Sequence, residues 1–150
     1  MPVPSLVRQP KGSELEQSRY TLLVHRLLAL AAVLFGFVTI IVGSLVLTGS
    51  DPGYKVFLPL LLFNIAMGVA YVAAGITTWR NPNQGKYASG TIFVLNVLVL
   101  GAIAYLYKVG TSVAVESVGA MTFRTVVWLV LFLGVAWVCR QKTLRAEPHT

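Results

Sequence analysis

Acid is scarce in this chain. Asp and Glu together number five in 150 residues, and cysteine occurs once, as Cys139. One thiol rules out an internal disulfide and a multi-thiol redox relay. His25 and His149 are the only histidines, so one copy cannot offer the paired axial ligands at matching depth that haem in a helical bundle uses. A metal centre needs clustered His, Cys, Asp or Glu, and the sequence has no such cluster. It also has no phosphate loop and no nucleophile motif. The residues point to no catalytic group, no cofactor and no metal ligand, and so to a protein that is not an enzyme.

Charge of either sign is missing from four stretches, Leu27–Ser50, Val56–Trp79, Tyr87–Tyr107 and Thr125–Cys139, which hold 24, 24, 21 and 15 residues. A helix needs about 20 apolar residues to cross a hydrocarbon core of roughly 30 Å. Three stretches suffice. The fourth spans only if the residues before it join the helix and carry Arg124 to the membrane boundary. Charged residues make up 11% of the chain, against about 25% in soluble domains, too few to coat a soluble surface. The expected fold class is all-α, an integral membrane four-helix bundle with spans at about 27–48, 56–79, 88–107 and 117–139. Residues 1–12, with Pro2, Pro4 and Pro10, read as a flexible tail, 13–140 as the four-helix domain and 141–150 as a second tail.

The net charge of +7 reports topology rather than nucleic-acid binding, because no groove-reading motif accompanies it. With the N-terminus in the cytoplasm, nine of the twelve basic residues fall on the cytoplasmic side, and only Lys55, Lys108 and Arg124 fall opposite. That is the positive-inside bias, and it places both termini in the cytoplasm. The bias and the compact form point to the bacterial inner (plasma) membrane. The first stretch exceeds the length of a signal-peptide core and has 26 residues before it, so it reads as a retained anchor.

Local signals place the boundaries. Ser13 followed by Glu16 has capping-box spacing and predicts a helix start at Ser13. Gly49 to Gly53 predicts a tight turn, and Pro59 fits the first turn of the second span. Residues 81–86, Asn-Pro-Asn-Gln-Gly-Lys, predict a short polar turn. The segment after Lys108 predicts an external loop to about Ala114, with helix following. Tyr105 and Tyr107 predict an interfacial aromatic belt. Cys139 reads as a small apolar residue at a helix end.

The candidate site residues are polar or small groups inside the spans. Asn64, Gly68, Tyr71 and Gly75 are spaced 4, 3 and 4 apart, which puts them on one helical face. Gly36 and Gly43 share the seven-residue spacing of Gly68 and Gly75, so two small-residue seams are placed to meet, as close helix packing in membranes favours. Asn96 lies near mid-membrane. Packing is the first reading of this set; the alternative is a polar path near Asn64, Tyr71 and Asn96. Arg124 is the costliest group, since charge is expensive in hydrocarbon. It precedes Arg140 by 16 positions, about 24 Å of helix, so it is expected near the outer edge, where it can snorkel to headgroups. Trp128, four residues on, is placed for a cation–π contact with it. Arg124 and Trp128 are the expected partner or headgroup contacts.

These expectations describe a non-catalytic accessory or assembly subunit of a larger membrane complex. Its expected partners are membrane lipids and other membrane subunits or further copies of itself. The alternative is a small oligomeric transporter or channel. A lipid-modifying enzyme ranks last, because no base or nucleophile accompanies Arg124.

Overall fold

A computed structural model describes residues 11–51, 53, 56–110 and 114–146. The chain forms α1 (Lys11–Leu47), α2 (Leu58–Arg80), α3 (Pro82–Lys108) and α4 (Val115–Ala146). There is no strand among the described residues. Each helix is long and apolar enough to cross a membrane, as an integral membrane protein requires. The fold is a four-helix bundle in which α1 packs on α2 and α4, and α3 packs on the same two helices. Four passes return the chain to the end where it began. That end is here the terminal end, and the opposite one the loop end.

Two boundaries differ from the sequence expectation. The turn expected over residues 81–86 shrinks to Asn81, because α3 already starts at Pro82. The reason is capping chemistry. The Asn81 side chain accepts hydrogen bonds from the Asn83 and Gln84 amides at 3.0 and 3.5 Å, and proline suits the first helical position because its missing N–H has no partner there anyway. Asn-Pro is thus a helix start inside what composition alone calls a turn. At the C-terminus, α4 continues past Cys139 to Ala146, so residues 141–146 are helical rather than tail. Arg140 and Lys142 favour this extension, since cations near a helix C-terminus interact well with its dipole.

The other boundaries fall close to expectation. α2 opens at Leu58 with Pro59 in its first turn. α4 opens at Val115, one residue past the expected loop end. Gly49, Gly53 and Gly110 have φ values of 108°, 79° and 82°, a region glycine enters at no steric cost. The Gly53 amide donates to the Asp51 carboxylate at 2.8 Å, which closes the α1–α2 turn. α1 includes Lys11 and Ser13, so its first residue precedes the expected cap. The expected tails at 1–10 and 147–150, Lys55, and residues 111–113 lie outside the described residues.

The core has two parts. Ala32, Met67, Tyr71, Ala74, Ile92, Trp128 and Leu131 form the larger, central cluster. Leu60, Ile103 and Met121 form a smaller one toward the loop end. Large apolar side chains elsewhere, such as Leu30, Leu34, Phe37 and Ile41 along α1, stay exposed on the outside. This is the inverse of a soluble bundle and suits a lipid surround.

Candidate functional site

The glycine seam sets how closely α1 and α2 approach. A Cβ placed on Gly36 would lie 2.8 Å from the Gly68 carbonyl oxygen, and one on Gly68 would lie 3.2 Å from the Gly36 carbonyl oxygen. The two expected seams therefore meet, but at this one pair. The helices are antiparallel, so the partner of Gly75 is reached by stepping back along α1. A Cβ on Gly75 would meet the Ala29 carbonyl oxygen at 2.9 Å, while Gly43 instead faces the Ile65 side chain. Ala29 completes a 29–36–43 heptad that the sequence carries. It escapes a search for glycine alone.

Polar groups occupy three levels marked by Asn64, Tyr71 and Thr78, which are seven residues apart on α2 and so about 10 Å apart along the axis. In the middle level the Tyr71 hydroxyl donates to the Asn96 side-chain oxygen at 3.0 Å. Both residues are fully buried, as is Trp128. The Tyr71 ring lies 4.7 Å from that of Trp128 and 5.7 Å from that of Phe35, so all four helices contribute to one knot. Asn96 Nδ2 and Trp128 Nε1 are buried donors without a hydrogen-bond partner. Trp128, expected as a partner or headgroup contact, packs its ring against Tyr71 at a 40° tilt.

At the terminal level, His25 is buried and its Nε2 lies 2.6 Å from the Thr78 carbonyl oxygen. A carbonyl only accepts, so Nε2 carries the proton. The interaction has a cause in sequence. In a continuing helix the Thr78 carbonyl would accept from residue 82, which is proline and has no N–H. His25 supplies the missing donor from α1. Nothing in the local sequence around His25 names this partner. Its signal was present all the same: Pro82 four residues after Thr78 announces an orphaned carbonyl. Gly85 packs against Thr78 so closely that a Cβ there would lie 2.6 Å from the Thr78 Cα. Just outside, the Arg26 guanidinium lies 5.6 Å from the Trp79 ring centroid, a cation–π pair at an interfacial position.

At the loop level, Asn64 and Arg124 line one cavity of about 80 Å³ together with Val42, Gly43, Leu60 and Ser117. Arg124 is half-buried and faces this space between α1, α2 and α4. Arg124, expected to contact headgroups or a partner, thus lines a cleft between helices. The Asn64 side-chain oxygen is buried and has no hydrogen-bond partner.

Apolar side chains separate the levels. Met67 lies between Asn64 and Tyr71, and Ala74, Ile92 and Leu131 lie between the middle and terminal levels. The hydroxyls of Thr39, Thr78, Ser89 and Thr125 each donate to a carbonyl one turn back in their own helix, which satisfies them without a neighbour. The structure therefore joins Tyr71 to Asn96 and sets Asn64 and Arg124 in the wall of one cavity, a level away from Asn96. No family model, curated protein or solved structure matches this chain.

Proposed function

We propose that the protein is a non-catalytic accessory or assembly subunit of a larger membrane complex, which it stabilises through helix–helix and lipid contacts. One observation carries this reading: polar groups of the middle and terminal levels tie the helices to one another, as in Tyr71 with Asn96 and His25 with the Thr78 carbonyl. The outside, with its long apolar faces on α1 and α4, is available to neighbouring subunits and lipid. The charge bias supports a cytoplasmic side for both termini, and the bacterial inner membrane fits that bias. Purification from native membranes in mild detergent tests the proposal. Co-purifying membrane subunits are expected; a lone monomer with an activity of its own counts against it.

A second reading, a small oligomeric transporter or channel, draws on the cavity that joins Asn64 to Arg124. Flux across proteoliposomes decides it. Asn64→Leu and Asn96→Leu are each expected to lower flux if those residues line a path. Unchanged flux in both removes the path, and the apolar layers at Met67 and Ala74 already weigh against a column within one copy.

A further inference from the structure

The loop-end cavity is built unlike the rest of the interior. Its inner wall holds a cation, a hydroxyl and an amide, from Arg124, Ser117 and Asn64. Its rim is apolar, and the rim residues Val42, Val56 and Ala120 are exposed. Arg124 stands about 24 Å along α4 from Arg140, which in a hydrocarbon core of roughly 30 Å is within snorkelling reach of the far headgroups. The space is several times the roughly 10–15 Å³ that one water needs, and so admits a phosphate group. We propose that this cleft is a binding site for an anionic phospholipid of the outer leaflet whose headgroup carries a hydroxyl, as in phosphatidylglycerol.

The assignment follows from matching groups. A guanidinium has five N–H donors in a planar fork. It can keep a contact within the protein and still donate to a phosphodiester, an anion whose oxygens match the fork. The Asn64 oxygen is a buried acceptor without a partner, and it asks for a donor on the ligand. A headgroup hydroxyl provides one without placing a second cation near Arg124, as ethanolamine would. Choline has no N–H or O–H to give. The exposed valines of the rim suit the glycerol and upper acyl carbons. They also disfavour a soluble anion, which would have to leave water across an apolar edge. This site deepens the lipid-contacting role proposed above. It is measured on the isolated chain, so its failure leaves the accessory-subunit reading standing, and failure to find a complex leaves the site standing.

The test is lipid binding to the purified full-length protein in mild detergent, followed by native mass spectrometry. Dioleoyl-phosphatidylglycerol, dioleoyl-phosphatidylcholine and inorganic phosphate are the probes. Phosphatidylglycerol is expected to bind at least about tenfold more tightly than phosphatidylcholine, because choline brings a second cation beside Arg124 and gives the Asn64 oxygen no hydrogen bond. Arg124→Gln is expected to remove that preference, and Asn64→Leu to reduce it by about threefold. Ala120→Trp keeps the charge and fills the mouth, so it should block phosphatidylglycerol even if Arg124→Gln folds poorly. Equal binding of the two lipids overturns the proposal, as does full phosphatidylglycerol binding by a folded Arg124→Gln or Ala120→Trp protein. Displacement of the lipid by millimolar inorganic phosphate also overturns it, since the occupant would then be a soluble anion.

Discussion

Along its α2 side, α1 comes so near its neighbour that a single methyl on Gly36 would sit 2.8 Å from a backbone oxygen. Along its α4 side it touches mainly through large side chains. Tyr20 meets Trp137 edge-on at 6.4 Å, Leu28 covers Gly134, and Phe35 meets Phe123 at 6.2 Å. Beyond Phe35 the two helices flank the cavity that Arg124 lines. The difference teaches what side-chain size does where water supplies no hydrophobic drive. Small residues let backbones touch and gain dispersion over a long seam. Rings hold helices apart and leave space that something else can fill.

The largest expected effect breaks the close side of this comparison. Gly36→Leu should destabilise the bundle by about 3 kcal/mol or more, because the added atoms meet backbone that cannot move aside. Thermal unfolding in detergent with gel filtration measures it. An unfolding temperature equal to that of the parent would show that the seam is looser than the glycine contact implies. Next comes the polar tie on the same side. His25→Leu should cost about 1–2 kcal/mol by leaving the Thr78 carbonyl buried without a donor, and His25→Gln, which retains an N–H, should lose less. Equal losses for the two would mean that imidazole packing, not the hydrogen bond, matters at this position.

A smaller effect tests the knot that both sides share. Tyr71→Phe should cost about 1 kcal/mol, since Asn96 then loses its remaining side-chain partner. Asn96→Leu should cost less than Tyr71→Phe, because it also removes a buried amide donor that has no partner. Denaturant titration of both variants checks the order, and the reverse order would show that Asn96 has a partner beyond Tyr71. The smallest effects sharpen the contrast between closed and open glycines. Gly134→Ala, whose new methyl meets only the flexible end of Leu28 at 2.9 Å, should be mildly destabilising. Gly119→Ala has nothing within 4 Å and should be neutral, or stabilising by no more than about 1 kcal/mol. A loss at Gly119 as large as that at Gly36 would erase the distinction between the two.

Much of this was legible along the chain. Charge-free stretches are long-range averages, so one misplaced residue does not hide a span. Gly36 and Gly68 were recognisable as a seam because seven-residue spacing keeps residues on one face. Asn64, Tyr71 and Asn96 were recognisable as interior polar groups, but not as a Tyr71–Asn96 pair with Asn64 apart from it in a cavity wall. Which of them meet depends on helix rotation and on which helices are neighbours, and no local spacing encodes either. The role of His25 was not legible for a related reason: its partner is a backbone carbonyl 53 residues away, and backbone groups have no letter in a sequence.

The sequence by itself determined that four apolar helices form and where they turn, because burying backbone amides in lipid leaves few options other than a helix. It also determined that α1 and α2 would present small residues at matching intervals. Only the tertiary structure decided that Arg124 turns toward a cleft with Asn64, that Tyr71 reaches Asn96, and that His25 repairs the carbonyl stranded by Pro82. Each of these is a contact between helices. Its formation depends on the rotation and depth of two rods at once, which helical periodicity leaves free and packing alone fixes.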